Sequence, residues 1–230
     1  MRVFCYSGFM MIRIFAMRAA GRNFTEARWL QYLSRERMAE AEKRKNERER
    51  QLFLGAEILM NQSLEAVGAG IPLPAAYVRN PYGKPCLLSD RGIKVNWSHS
   101  GEYVICAVAD RENGIDLQYV QKEPKDSVIR KVLQPEELIF YEQTSAEQRK
   151  HLFYQYWTVK ESYLKAVGTG FHTSLQTFYV RMETRNPKII QREPGRRYRS
   201  RLLDFAAADY VAAVCCEGNM DLEPIEIQYL

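Results

Sequence analysis

The spacing of apolar and polar positions predicts a mixed α and β chain. Residues 12–17 alternate at their start and read as a strand. Asn23, with Glu26 three residues on, forms a helix-capping pattern. A long helical stretch follows and turns apolar over residues 51–60, where it would dock on a core. Residues 68–74 read as a loop, Tyr77 and Val78 as a short strand, and Asn80-Pro81-Tyr82-Gly83 as a turn. Residues 95–98 read as a strand ending at His99-Ser100-Gly101, and 103–109 as an apolar strand. Residues 115–120 alternate, with Ile115, Leu117 and Tyr119 on one face and Asp116, Gln118 and Val120 on the other. Residues 128–143 and 146–167 predict helices. In the second, Leu152, Tyr156, Val159, Tyr163 and Val167 form one apolar stripe. Glu161 and Lys165 lie opposite it, one turn apart, and Trp157, off the stripe, predicts contact with a second surface. Gly168 ends the helix, and the rest reads mostly as strands.

Two apolar segments look alike, Tyr-Val-Ile-Cys-Ala-Val at 103–108 and Tyr-Val-Ala-Ala-Val-Cys at 210–215. Their likeness predicts two similar halves meeting near residue 112, each with helices and mainly antiparallel strands, an α+β class. Residues 1–10 read as an N-terminal extension, with the working protein starting near Met11; 11–112 and 113–230 are the two expected halves.

At 230 residues, 46% hydrophobic and 27% charged, the chain has the composition of an ordinary globular protein, not of collagen, a disordered tail or a disulfide scaffold. No apolar run reaches the ~18 residues of a membrane-spanning helix. Five cysteines without a CxxC pair read as buried small hydrophobes in a reducing, cytoplasmic setting. The formal charge of +5 suits an anionic ligand or an acidic partner. Residues 34–50 hold seven basic side chains and five glutamates. They read either as a solvated helix laced with ion pairs or as cations facing a phosphate-bearing ligand.

Three segments bring chemistry together: Asn96-Trp97-Ser98-His99-Ser100-Gly101, Gly114-Ile115-Asp116-Leu117-Gln118, and residues 157–165. Asp116 and Glu161 are a hard-oxygen pair suited to Mg²⁺, which takes one or two carboxylates and fills its shell with phosphate oxygens and water. Lys84, Lys160 and Lys165 add positive charge for phosphates, and His99 with Ser98 and Ser100 can contact phosphate or ribose. This is the equipment of phosphoryl-group chemistry.

With the Tyr82-Gly83-Lys84-Pro85 turn and the Gly168-Thr169-Gly170 end of the helix, these motifs resemble, in order and spacing, the 4′-phosphopantetheinyl transferases of the two-domain class that activates surfactin synthetase. The similarity runs from about Met11 to the C-terminus. It implies two similar α+β halves with the active site in the cleft between them. It also implies transfer of the phosphopantetheine arm of coenzyme A to a serine of an apo carrier protein, with 3′,5′-ADP released. On this resemblance Asp116 and Glu161 match the magnesium carboxylates, with Mn²⁺ an alternative ion. Glu161 would also help deprotonate the serine. Lys160 and Lys165 match contacts to coenzyme A phosphates, with Lys165 steadying the departing ADP. Ser98 and His99 match contacts to the nucleotide, His99 at the 3′-phosphate, and Lys84 matches a lysine near the adenine.

Two departures stand out. A third acid found in many members is here Gln118, a metal ligand only through its carbonyl or a bound water, which implies looser metal affinity. In the basic stretch, Arg37 and Arg50 are the expected 3′-phosphate cations, with Gln51 where a closer match would have arginine. An acidic carrier protein is the implied partner, with the basic cluster at 181–201 either a solvated surface or part of its docking face. Nucleic acid is not expected, since no RRM, KH or helix-turn-helix pattern is present. Both halves lie in one chain, so a monomer suffices. The alternative is a coenzyme A or carrier-binding relative whose catalysis is impaired by Gln118.

Overall fold

The computed structural model describes residues 12–182, 185–218 and 225–230; the expected extension at 1–10 lies outside them. The chain begins with β1 (Arg13–Arg18), followed by three helices, α1 (Ala27–Leu30), α2 (Arg35–Glu42) and α3 (Glu47–Ala66). A hairpin of β2 (Tyr77–Arg79) and β3 (Pro85–Leu87) leads to β4 (Lys94–Ser100) and β5 (Tyr103–Ala109). The same order then recurs. Strand β6 (Asn113–Tyr119) precedes α4 (Asp126–Val132), α5 (Pro135–Gln143) and α6 (Ala146–Val167). A hairpin of β7 (Phe178–Arg181) and β8 (Lys188–Gln191) leads to β9 (Tyr198–Leu203) and β10 (Tyr210–Glu217), and β11 (Ile227–Tyr229) ends the chain.

The two main sheets run β11-β1-β5-β4 and β6-β10-β9. All neighbours are antiparallel except β11, which returns parallel to β1. The look-alike segments are the central strands β5 and β10, and their leading rings, Tyr103 and Tyr210, meet edge to face at 5.1 Å. Central strands are apolar on both faces because both faces are covered. In β5, Val104, Cys106 and Val108 pack with α3, while Ile105, Ala107 and Ala109 pack against the second sheet. In β10, Ala213 and Cys215 pack with α6, while Ala212, Val214 and Cys216 face the first sheet. The result is four layers, α3, sheet, sheet and α6, with Ile115 and Leu117 of β6 in the middle cluster.

The helices differ from the sequence expectation at their breaks. The long stretch after Asn23 is three helices, because two local capping side chains interrupt it. Ser34 Oγ accepts from Arg37 N at 3.1 Å, and Asn46 Oδ1 accepts from Glu49 N at 3.1 Å. Asn23 caps nothing; its Oδ1 accepts from Thr25 N and Oγ in a turn. The helix expected over 128–143 breaks before Pro135, which starts α5 at its first position, where no N–H is needed. Trp157 packs, partly buried, against the same cluster as the α6 stripe.

Two glycines set how closely these layers approach. Gly101 turns β4 into β5 at φ +57°, and a Cβ there would lie 2.1 Å from the Tyr210 hydroxyl. Gly114 lies against α6, where a Cβ would stand 2.1 Å from Ser162 O and 2.3 Å from Ala166 N. Those are backbone atoms and cannot swing aside. Gly114→Ala is therefore expected to lower stability by about 3 kcal/mol or more, since strand and helix must separate. A drop in the urea midpoint with an unchanged slope is the expected reading; an unchanged midpoint would show that the approach is slack.

Candidate active site

The two sheets meet edge to edge at β4 and β6, joined by side chains and not by a backbone ladder. Asn96, Ser98 and Ser100 alternate along β4 and face β6. Asn96 Oδ1 accepts from Ile115 N at 2.8 Å, and Ser100 Oγ accepts from Tyr119 N at 2.9 Å. Between them Ser98 Oγ donates to Asp116 Oδ1 at 2.8 Å. The alternation that puts Ile115 and Leu117 in the core turns Asp116 to the α6 side, where its carboxylate is 3% exposed.

Lys165 reaches this carboxylate from the last turn of α6. Its Nζ donates to Asp116 Oδ1 at 2.7 Å, Ser98 Oγ at 2.9 Å and Ile115 O at 3.0 Å, so all three ammonium protons are used. Gln118 Nε2 donates to Asp116 Oδ2 at 2.8 Å. Glu161, one turn before Lys165 and partly buried, is the second carboxylate. Burial and the Asp116 charge push its carboxyl up to about 7, against the pull of Lys165. Asp116 and Lys165 cancel, so an ionised Glu161 leaves the cluster one negative charge in excess. His99 lies on the opposite face of β4 from Ser98, exposed; desolvation and the charges of Lys165, Arg37 and Arg44 hold its imidazole below the ordinary range.

The structure thus brings together Ser98, Asp116, Gln118, Glu161 and Lys165, with His99 beside them, and sends four expected site residues elsewhere. Lys160 is 1% exposed in the core behind α6, paired with Glu137 at 2.7 Å, because α6 turns it about 100° from Glu161. Arg37 is buried, donates to Phe53 O and lies 3.6 Å from Glu57, so its charge is spent inside the first core. Arg50 pairs with Glu47 within its own helix. Lys84 binds Glu112 at 2.6 Å, Ala166 O at 3.0 Å and Asn113 O at 3.2 Å, tying the β2–β3 turn to α6 and β6. It lines a cavity of about 440 Å³ with Tyr163, Gln191 and Tyr198. In the basic cluster, Arg185 pairs with Asp204, Arg192 with Glu136 and Arg196 with Glu217, so much of its charge is compensated.

Of residues 34–50, Arg37 and Arg44 both act on His99, and Arg44 is the less buried of the two. Its guanidinium lies 3.8 Å over the Phe53 ring, and its buried Nε has no hydrogen-bond partner among the described residues. Arg48 Nε donates to Gly101 O at 3.2 Å and ties the start of α3 to the turn just past His99. Spacing alone does not separate Arg44 from its basic neighbours.

Residues 112–215, which hold Asp116, Gln118, Glu161 and Lys165, match the family model described as the 4′-phosphopantetheinyl transferase superfamily. The chain is similar to that superfamily over this stretch, somewhat less than half of its length. It is 27% identical over 155 residues to the 4′-phosphopantetheinyl transferase gsp of Aneurinibacillus migulanus, covering 66% of this chain and 64% of that protein. A 4′-phosphopantetheinyl transferase of Bacillus subtilis is 26% identical over 172 residues, covering 72% of this chain and 76% of its own. The 4′-phosphopantetheinyl transferase HetI of Nostoc is 33% identical over 142 residues, covering 59% and 58%. The chain thus spans less than two thirds of gsp and of HetI. No helix among the described residues is long and apolar enough to cross a membrane.

The raised Glu161 carboxyl makes a testable prediction. A carboxyl pushed up in the folded state binds its proton longer than in the unfolded chain. Stability therefore falls as pH rises from about 4.5 to about 7. Glu161→Gln abolishes that fall. In urea melts with a chelator present, the variant is expected to exceed the parent by about 1 kcal/mol at pH 8, solvent screening of the partly exposed group included. The gain should shrink towards pH 4.5, and equal stability at both pH values would contradict the raised carboxyl.

Proposed function

We propose that the chain transfers the 4′-phosphopantetheine arm of coenzyme A to a serine hydroxyl of an apo carrier protein, releasing 3′,5′-ADP. The observation that carries this reading is the Ser98–Asp116–Lys165 cluster with Glu161 beside it, inside the stretch that matches the superfamily. The recurring order of elements and the two sheet orders support two similar α+β halves, 11–112 and 113–230. The candidate site draws Ser98 from the first and the rest from the second, which supports a site in the cleft between them.

The donor set fits a hard divalent cation. Two carboxylates with one excess negative charge and the Gln118 carbonyl are oxygen ligands of the kind Mg²⁺ accepts. Asp116, Glu161 and Gln118 would hold Mg²⁺ or Mn²⁺, which would neutralise charge on the pyrophosphate oxygens. Lys165 exchanges one of its three bonds for a phosphate oxygen and steadies the leaving 3′,5′-ADP. Glu161, with its carboxyl near 7, accepts the serine proton directly or through one water. The serine oxygen then bonds to the phosphorus that carries the pantetheine arm, and the bond from that phosphorus to the bridging oxygen breaks. His99 and Arg44 serve the 3′-phosphate in place of the inward-facing Arg37. An acidic carrier suits the net positive charge.

Intact-mass analysis of an apo carrier incubated with coenzyme A and Mg²⁺ tests the reading. One added phosphopantetheine is expected with the parent, and none with Asp116→Asn or Glu161→Gln. The second reading, a binder impaired by Gln118, predicts coenzyme A binding without mass gain, with Gln118→Glu restoring transfer. In the same assay Arg44→Ala should raise KM for coenzyme A about 10-fold or more, as loss of a charge-assisted contact implies. KM for 3′-dephospho-coenzyme A should not change. Equal effects on both substrates would remove Arg44 from that role.

A further inference from the structure

Behind α6, on the side away from the carboxylates, lies an ion pair that the proposed chemistry does not use. Lys160 and Glu137 are each 1% exposed. Lys160 Nζ meets Glu137 Oε2 at 2.7 Å and donates to Val132 O at 2.8 Å. Glu137 Oε2 also accepts from Gln134 N at 2.6 Å, and Oε1 accepts from Val180 N at 2.7 Å. The end of α4, the start of α5 and strand β7 therefore meet at this pair, and α4 and α5 reach its α6 side chain directly. That side chain immediately precedes Glu161.

We infer that Lys160 and Glu137 are positioning residues, which fix the rotation of α6 so that Glu161 and Lys165 face Asp116. This role rests on the transferase reading above. A buried ion pair is seldom more stabilising than apolar residues of like volume, so stability alone is a poor reason for one here. Geometry is a better reason. The pair's four short contacts come from three elements: two fix the Glu137 carboxylate, and the carboxylate and Val132 O fix Nζ. On the other side the close seat of Gly114 and the bonds made by Lys165 and Lys84 hold the far end of α6, leaving the turn before Glu161 to the pair. Successive residues on a helix diverge by about 100°, so holding Lys160 holds Glu161 in turn. A 1 Å error at such a site can cost about 10²-fold in rate.

The first core has the same device with the signs exchanged: Arg37 of α2 against Glu57 of α3, both buried. There the lock braces α3 and touches no chemistry. Only in α6 does it adjoin a site carboxylate.

The test compares Lys160→Met, Glu137→Gln and the double variant, measuring kcat and KM for coenzyme A on an apo carrier, with thermal melts of each. The double variant removes both charges and nearly keeps the volume, but the Gln amide accepts only one of the Gln134 and Val180 N–H bonds, so the variant's melting point should fall by several degrees and kcat is read well below it. Its kcat is expected to fall about 10- to 100-fold, with KM for coenzyme A within about 2-fold. If the double variant melts below the assay temperature, Glu137→Asp takes its place. It keeps the charge and shortens the arm, and the same fall in kcat at constant KM is expected. Full kcat in the folded variants overturns the positioning role. So does a rise in KM with Lys160→Met alone, which would make Lys160 a substrate contact. A parent chain that loads no carrier overturns the transferase reading and this role with it, whereas a loading parent with unimpaired variants overturns this role alone.

Discussion

The candidate site depends on how closely one strand lies against one helix. At Gly114 the backbone of β6 lies so near α6 that no side-chain carbon fits between them. That contact brings Asp116, two residues on, within reach of Lys165 and Glu161. A larger residue at 114 would move the strand outward, and Lys165 Nζ would lose Ile115 O and Asp116 Oδ1 together. The three bonds of Lys165 are consequences of that spacing as much as of the lysine itself.

The second constraint is the seam between the sheets. Two exposed sheet edges placed side by side would leave backbone groups unpaired. Here Asn96 and Ser100 supply the acceptors for Ile115 N and Tyr119 N, and Ser98, midway between them, is left to bind Asp116. A structural zipper thus sets the register of a chemical group. The polar alternation of β4 is consequently more informative than any one of its residues: two teeth hold the sheets and the third carries the site.

Much of this was legible in the sequence. The α6 stripe, the twin central strands and the Ser98–Asp116–Glu161–Lys165 set follow from periodicity and motif, because burial on one face dictates where the other face points. What was not legible shares one physical cause. A cation in a motif does not reveal whether its charge is spent on solvent, on a ligand or on a buried carboxylate. Lys160 and Arg37 each have a partner far off in sequence, 23 residues away for Glu137 and 20 for Glu57, and no local pattern announces it. The helix breaks at Asn46 and Pro135 were visible as residue types. They were outweighed by charge and apolar content that also suit a continuous helix.

Gln118 bears on the electrostatics of the whole cluster. An acid there would sit on the same strand face as Asp116, two residues away, and a third carboxylate would push the others up further. As an amide it donates to Asp116 Oδ2, so the Asp116 carboxylate is held on one oxygen by Lys165 and Ser98 and on the other by a neutral group. Both Asp116 oxygens are thereby hydrogen-bonded without added charge, and Glu161 is left as the one carboxyl whose charge is unmatched. A site so arranged concentrates its response to pH and to cations on a single side chain. The substitution therefore reads less as a lost ligand than as a shift of the work onto Glu161, the residue that α6, Gly114 and the buried lysine behind it hold in place.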